Sequence, residues 1–557
     1  MGRSCGSGMI AGCRGARVRV PSRYRGEQMS RGVLWVLPVL LLLGCEAAEE
    51  PTPATPATVQ IDADRPAPVL LISIDGFRHD YRVRTGTPNM DRLGDEGVVA
   101  DGLVHIFPTK TFPTHWTMVT GLYAENHGVV ANSMWDPERE RSFALRNREA
   151  VMDPAWYDGE PIWRTAERQG LIAATFFWPG SEAPVGGAHP TYWKPYAAAV
   201  SHEERIEQVL AWLDLPAAER PDFLTLYFSR VDSLGHRHGP EADEVTAAIA
   251  DIDADLGRLL DGIEARGLLG AMHILLVSDH GMSDIDPERY IWLDDYLSLG
   301  DVQVSDWGPA AQIWAGELSA DAIVAALTDA HPRMRVWKSK DTPDHYRFSD
   351  HTRIADVLAE ADHGWMIASR RNRGAVLMRP TRGMHGWDPL HREMHGIFIG
   401  HGPAFRSGAK LPSVESVHLH SLMAHLLAIE PAPNDGTLAA LASMLREPPS
   451  DLGAPPPPLP VVYGDRHPPL SAAVPLAMAD LDAGEERIVL RGRLERDCDG
   501  ADCALHLYDG ERRLPVIIIA QANRPRAGVS GHATVSGRLG QRDGIQVIEA
   551  TSLLVNP

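Results

Sequence analysis

PVLLISID, residues 68–75, is an apolar and partly β-branched run that closes on Asp75. DFLTLYFSRVD (222–232) and AMHILLVSD (271–279) have the same texture and close on Asp232 and Asp279. Continuous apolar runs suit strands covered on both faces, as in a parallel sheet. Between them lie helical patterns, EERIEQVLAWLDL (203–215) and EVTAAIADIDADLGRLLDGIEARG (244–267). The second spaces its apolar residues three to four apart and meets a stop at Gly267. This alternation predicts an α/β domain built on an open, mainly parallel sheet flanked by helices. Ligands of such sheets bind beyond the carboxyl ends of the strands. One aspartate there is an ordinary turn or cap residue. Three of them, two with histidine partners, make a candidate site.

The histidines are placed by short motifs. Asp279-His280-Gly281-Met282 follows a strand, and at an irregular turn both side chains can converge on an ion. On a regular strand they would face opposite ways. Asp232-Ser-Leu-Gly-His236 puts a carboxylate and an imidazole on one face if a helical turn starts near Asp232. Thr111 lies in FPTKTFPTHWTMVTG (107–121), where Pro113 suits the start of a helix. A hydroxyl there faces the positive end of the helix dipole. Taken alone, such a threonine is a helix cap; beside metal it becomes a nucleophile.

Six stretches carry a family resemblance: LLISIDGFR (70–78), FPTKTFPTHWTMVTGLYAENHGVVANSMWD (107–136), TLYFSRVDSLGHRHGP (225–240), SDHGM (278–282), GMHGWD (383–388) and IFIGHGPAF (397–405). Their order and spacing resemble those of nucleotide pyrophosphatase/phosphodiesterases of the alkaline phosphatase superfamily. The resemblance implies two divalent metal ions, most simply zinc, whose mixed oxygen and nitrogen ligands suit that ion. It assigns Asp75, Thr111, Asp279 and His280 to one ion and Asp232, His236 and His385 to the other. It implies attack by Thr111, a threonyl-phosphate ester, and an Asn132 amide donating to a phosphoryl oxygen. Phe112, Leu145, Tyr196 and Tyr227 resemble a pocket for a nucleobase, so the expected products are nucleoside 5′-monophosphates. His391, His395 and His401 match no family ligand and are expected to be structural or at the surface. The TFPTH segment carries His115 where a sulfatase pattern has arginine. Two alternatives stay open: a phospholipid or choline-headgroup phosphodiesterase or phosphomonoesterase on the same scaffold, and a lipid-anchored binding protein without activity.

The rest of the chain sets the frame. At 557 residues it has length for two or three domains. Its 53 Lys and Arg against 74 Asp and Glu give a net charge of −21, which disfavours a nucleic-acid polymer as partner. Residues 1–28 read as a mis-assigned start or leader, and 29–45 as a lipoprotein-type signal peptide ending at Leu42-Leu43-Gly44-Cys45. That ending predicts export to the cell envelope or periplasm, with attachment to the membrane through lipid on Cys45. Residues 46–67 read as a flexible linker, 68–446 as the catalytic domain and 447–469 as a proline-rich linker. Residues 470–557 alternate apolar and polar residues between turns, which predicts a small β-rich, OB-like domain with an unknown partner. Its Cys498 and Cys503 are a candidate local disulfide if the compartment is oxidising.

Overall fold

The computed structural model describes residues 58–59, 65–378 and 380–457, and beyond them only the strands at 474–475, 487–499, 502–509, 512–518, 531–542 and 545–556. Eight strands form the main sheet. In chain order they are β1 (Val69–Ile74), β2 (Val98–Ala100), β3 (Ala173–Phe176), β4 (Tyr192–Lys194), β5 (Phe223–Phe228), β6 (His273–Val277), β7 (Phe398–His401) and β8 (Ala409–Leu411). Across the sheet they run β8-β2-β7-β6-β1-β5-β3-β4. β1 lies in the middle, parallel to β5 and β6, while β7 is antiparallel to both of its neighbours.

The three runs that opened the sequence reading are these central strands, and every residue of them is buried. Side chains alternate between the two faces of a strand. Val69 and Leu71 of β1 accordingly join one core with Leu275 and Val277. Leu70, Ile72 and Ile74 join the other with Ile274 and Leu276. The predicted helices cover the second face: His202–Leu213, capped by the reciprocal Ser201–Glu204 pair, and Asp243–Ala265, with Gly267 at φ +72° just beyond.

One expectation is corrected. The run 222–232 does not stay extended to Asp232: β5 stops at Phe228, and a helix, α1 (Arg230–His238), carries Asp232 in its first turn. A second layer was also not foreseen. Val302–Asp306, Ala310–Ala315, Met334–Lys338 and Val357–Ala361 form a separate antiparallel sheet with a core of its own.

Five of the strands beyond 457 close into a ring. Arg487–Asp499 pairs with Asp502–Asp509 and with Gly531–Arg542; Arg512–Ile518 lies between Asp502–Asp509 and Ile545–Asn556, which pairs with Gly531–Arg542. Cys498 and Cys503 occupy opposed positions in this ring. Their side chains, the candidate disulfide and residues 1–57 with Cys45 lie outside the described residues. No helix among the described residues is long and apolar enough to cross a membrane.

Candidate metal centre and nucleophile

Asp75 follows β1 directly, and its backbone N–H donates to Phe228 at the end of β5 (2.8 Å). The Asp75 carbonyl accepts from the N–H of Asp232 (3.1 Å), so the ends of two adjacent strands hold both aspartates. Gly76 makes that approach possible. It sits at φ +68°, and a Cβ on it would meet the Asp232 Cα and Cβ at 2.9 Å. Its own N–H donates to Asp279 Oδ1 (3.0 Å), bringing in the third strand end.

Two groups of ligand-type side chains result: Asp75, Asp279 and His280, and Asp232, His236 and His385, with the donor atoms of each within 4.8 Å of one another. His280 Nε2 stands 3.4 Å from Asp75 and 3.1 Å from Asp279. His236 Nε2 and His385 Nε2 stand 3.2 and 3.7 Å from Asp232. The rings of His280 and His385 stack with centroids 3.4 Å apart, so the groups are neighbours. Sequence spacing alone joins Asp232 to His236 and Asp279 to His280; only the fold brings His385 to Asp232.

The donor chemistry fits divalent ions. Each of the three imidazoles is pinned through Nδ1 to a backbone carbonyl: His236 to Gly383 (2.8 Å), His280 to Gly281 (2.8 Å) and His385 to Thr109 (2.7 Å). That bond fixes the tautomer and leaves Nε2 as a lone-pair donor, the usual arrangement behind a metal-binding histidine. Asp75 Oδ1, Asp232 Oδ1 and Asp279 Oδ2 are buried without hydrogen-bond partners. Buried carboxylate oxygens left so are costly unless a cation completes them. Burial, then the charges of Asp279 and Asp232, push Asp75 well above the ordinary carboxylate range. Burial, helped by His280 and His236, holds His385 well below the ordinary imidazole range and therefore neutral. At His236 burial acts the same way, but Asp232 outweighs it and lifts the ring to about 9. An ion held there would displace that proton.

Thr111 is the first residue of a helix, α2 when counted with α1, that spans Thr111–Thr120. Lys110 takes the cap position without a side-chain cap bond. The Thr111 hydroxyl is therefore not a cap; its Oγ1 lies 3.5 Å from His280 Nε2. Asn132 Oδ1 accepts from the backbone N–H of Phe112 (2.9 Å), which turns the amide nitrogen away from that bond. Leu145, largely exposed, donates its N–H to the Asn132 carbonyl (3.0 Å). Phe112 packs edge-on against Phe143 at 5.4 Å. Tyr196 is half-exposed and meets Tyr227 edge-on at 6.2 Å. Tyr227 itself is buried, and its hydroxyl donates to Asp75 Oδ2. It thus supports a ligand-type carboxylate directly. His395 and His401 are buried structural groups; His395 Nε2 bonds the Pro389 carbonyl (3.0 Å).

Two supporting residues escaped the sequence reading. His115 is fully buried, with Nε2 on Ser73 Oγ (2.8 Å) and Nδ1 on the Thr111 carbonyl (2.8 Å) and near Asp279 (3.3 Å). Lys110 forms a buried ion pair with Asp306 of the small sheet. The only hint of either was adjacency to Thr111, because both partners come from distant parts of the chain.

Residues 69–388 match the family described as type I phosphodiesterase/nucleotide pyrophosphatase. A venom phosphodiesterase of Naja atra is 36% identical over 450 residues, which are 78% of this chain and 54% of the relative. Ectonucleotide pyrophosphatase/phosphodiesterase family member 1 of Mus musculus is 37% identical over 72% of this chain and 45% of its own. The chain thus spans about half the length of the curated relatives it matches. Murine ectonucleotide pyrophosphatase/phosphodiesterase 5 superposes with a TM-score of 0.65 at 34% identity, covering 68% of this chain and all of that one. An inactive variant of that murine protein has been solved in complex with AMP.

Proposed function

The chain belongs to the type I phosphodiesterase/nucleotide pyrophosphatase family, and from that premise we propose that it hydrolyses phosphodiester or phosphoanhydride bonds of nucleotides to release nucleoside 5′-monophosphates. The observation that carries this reading is the Thr111 hydroxyl, free of capping duty at a helix N-terminus and 3.5 Å from His280 Nε2. Asp75, Asp279 and His280 would hold one divalent ion, and Asp232, His236 and His385 a second, with zinc suited to both donor sets. When bound, such ions supply Lewis acidity and offset the three carboxylate charges, which turns an otherwise weak hydroxyl into a nucleophile.

Thr111 Oγ1 attacks phosphorus in line; the P–O bond to the leaving group breaks and a threonyl-phosphate ester forms. Water then cleaves that ester and restores the hydroxyl. Asn132 orients a phosphoryl oxygen through its amide nitrogen, a contact that strengthens as charge develops. The amino end of α2 favours the same anion. Phe112, Leu145 and Tyr196 offer a partly open aromatic and apolar rim to a nucleobase, with Tyr227 edge-on to Tyr196. The AMP-bound relative supports a nucleotide over a lipid headgroup. Export, with lipid on Cys45 holding the chain at the cell envelope, is part of the same proposal.

Hydrolysis of a 5′-nucleotidyl nitrophenyl ester tests it. Thr111→Ala is expected to lower turnover by on the order of 10³-fold or more while retaining its metal. Unchanged turnover would remove Thr111 from the reaction. A wild type that prefers a simple monoester or a choline lysolipid would redirect the substrate assignment.

A further inference from the structure

A third cluster of ligand-type side chains lies apart from the two groups described above. His363 follows Val357–Ala361 of the small sheet. His391 and Glu393 belong to the segment that leaves His385, Glu393 within the short helical turn Arg392–Met394. One donor atom from each of His363, His391 and Glu393 lies within 4.8 Å of the others. The two imidazole rings are stacked, with centroids 4.6 Å apart and planes inclined by 14°. Trp387 meets His363 edge-on at 5.1 Å and closes one side.

Two features separate this cluster from ordinary packing. Glu393 is only 7% exposed, and its Oε2 is buried with no hydrogen-bond partner. His363 Nε2 is likewise buried and unpartnered. A simple histidine–carboxylate hydrogen bond would have satisfied both atoms; the structure leaves both unbonded. Leaving a buried carboxylate oxygen unpaired is destabilising. A cation between the donors removes that cost.

We propose that His363, His391 and Glu393 form a third divalent-metal site, separate from the catalytic centre, that takes zinc or a similar first-row ion. Two imidazoles and one carboxylate are a donor set suited to zinc, with a fourth position left for water. Both histidines are partly exposed, which leaves the cluster open to solvent on one side. The ion would join two parts of the fold that are remote in sequence: the small sheet and the 385–395 segment. That segment also supplies His385, and the Met394 carbonyl accepts from the N–H of Gly281 beside His280 (2.9 Å). The third ion therefore fastens a loop that backs the catalytic groups, and it touches none of their ligand atoms.

Zinc content measured by native mass spectrometry tests the site on full-length protein equilibrated with zinc and then dialysed. The variant His363→Gln with Glu393→Gln is expected to hold one zinc fewer than wild type, whatever number the catalytic centre retains. Thr111→Ala and a substitution at Asp232 serve as controls: neither should remove this ion, so failure here and failure of the proposed reaction remain distinguishable. If the double variant does not fold, zinc-edge anomalous diffraction from wild-type crystals decides. A peak between the two imidazoles and Glu393 supports the proposal. Equal zinc content in wild type and variant, or no anomalous peak at the cluster, overturns it.

Discussion

At the residue scale, the centre is organised by contacts one step behind the ligand atoms. Three Nδ1-to-carbonyl bonds orient His236, His280 and His385. Tyr227 performs the equivalent service for Asp75. Partners of this kind are commonly worth 10–100-fold in metal affinity or activity. Tyr227→Phe keeps the ring packing and removes only the hydroxyl. It is expected to lower turnover by about 10–100-fold, with zinc affinity falling in parallel. Kinetics on the nitrophenyl ester and a zinc-chelator competition read the two effects. If base recognition alone were the role of Tyr227, KM would rise with zinc affinity unchanged. The Asp232–His236 and Asp279–His280 pairings are legible because each is local in sequence. The role of Tyr227 is not, since its register beside β1 depends on the pairing Ser73↔Tyr227.

At the element scale, the small sheet shows what hydrophobic patterning misses. Ala310–Ala315 pairs with both Val302–Asp306 and Val357–Ala361, and the second partner is separated from it by a helix and another strand. Short antiparallel strands that depend on such distant partners leave only weak local signals. One of them buries Glu360 completely. Its Oε2 accepts from the Tyr346 hydroxyl (2.8 Å), while Arg335 lies 3.3 Å away. Burial outweighs both and raises the carboxyl from 4.5 to about 7. Between those values the folded chain binds more protons at Glu360 than the unfolded chain, so stability falls as pH rises. The favourable contribution is full below 4.5 and lost above about 7. Glu360→Gln, which keeps an acceptor for Tyr346, is expected to gain about 1–3 kcal/mol over wild type above neutrality, with the gain shrinking toward pH 4.5. Thermal unfolding across that range reads it; a gap that does not vary with pH would refute the assignment.

At the scale of the whole molecule, β1, β5 and β6 and the segments beyond them gather three carboxylates into one place, Asp75 and Asp279 buried and Asp232 half-buried. Without cations this arrangement works against folding, because the charges of Asp279 and Asp232 bear on Asp75. Bound ions reverse the balance, and any ligand selective for the folded state adds stability by mass action. Chelation is therefore expected to lower the unfolding temperature. Each tenfold increase in free zinc above its dissociation constant should restore about 1.4 kcal/mol per ion. Calorimetry in zinc buffers measures this slope, and an unfolding temperature indifferent to zinc would contradict the metal assignment.

The sequence by itself determined the α/β architecture, the aspartates that follow β1, β5 and β6, and the local Asp–His pairs. Those features follow from the periodicity of buried strands and from residues a few positions apart. It did not free Thr111 from capping, turn Tyr227 onto Asp75 or gather His363 with His391 and Glu393. Only the tertiary structure decided these, because each depends on strand register or loop closure between distant segments. A one-residue slip in such a register would send the same side chains to the opposite face.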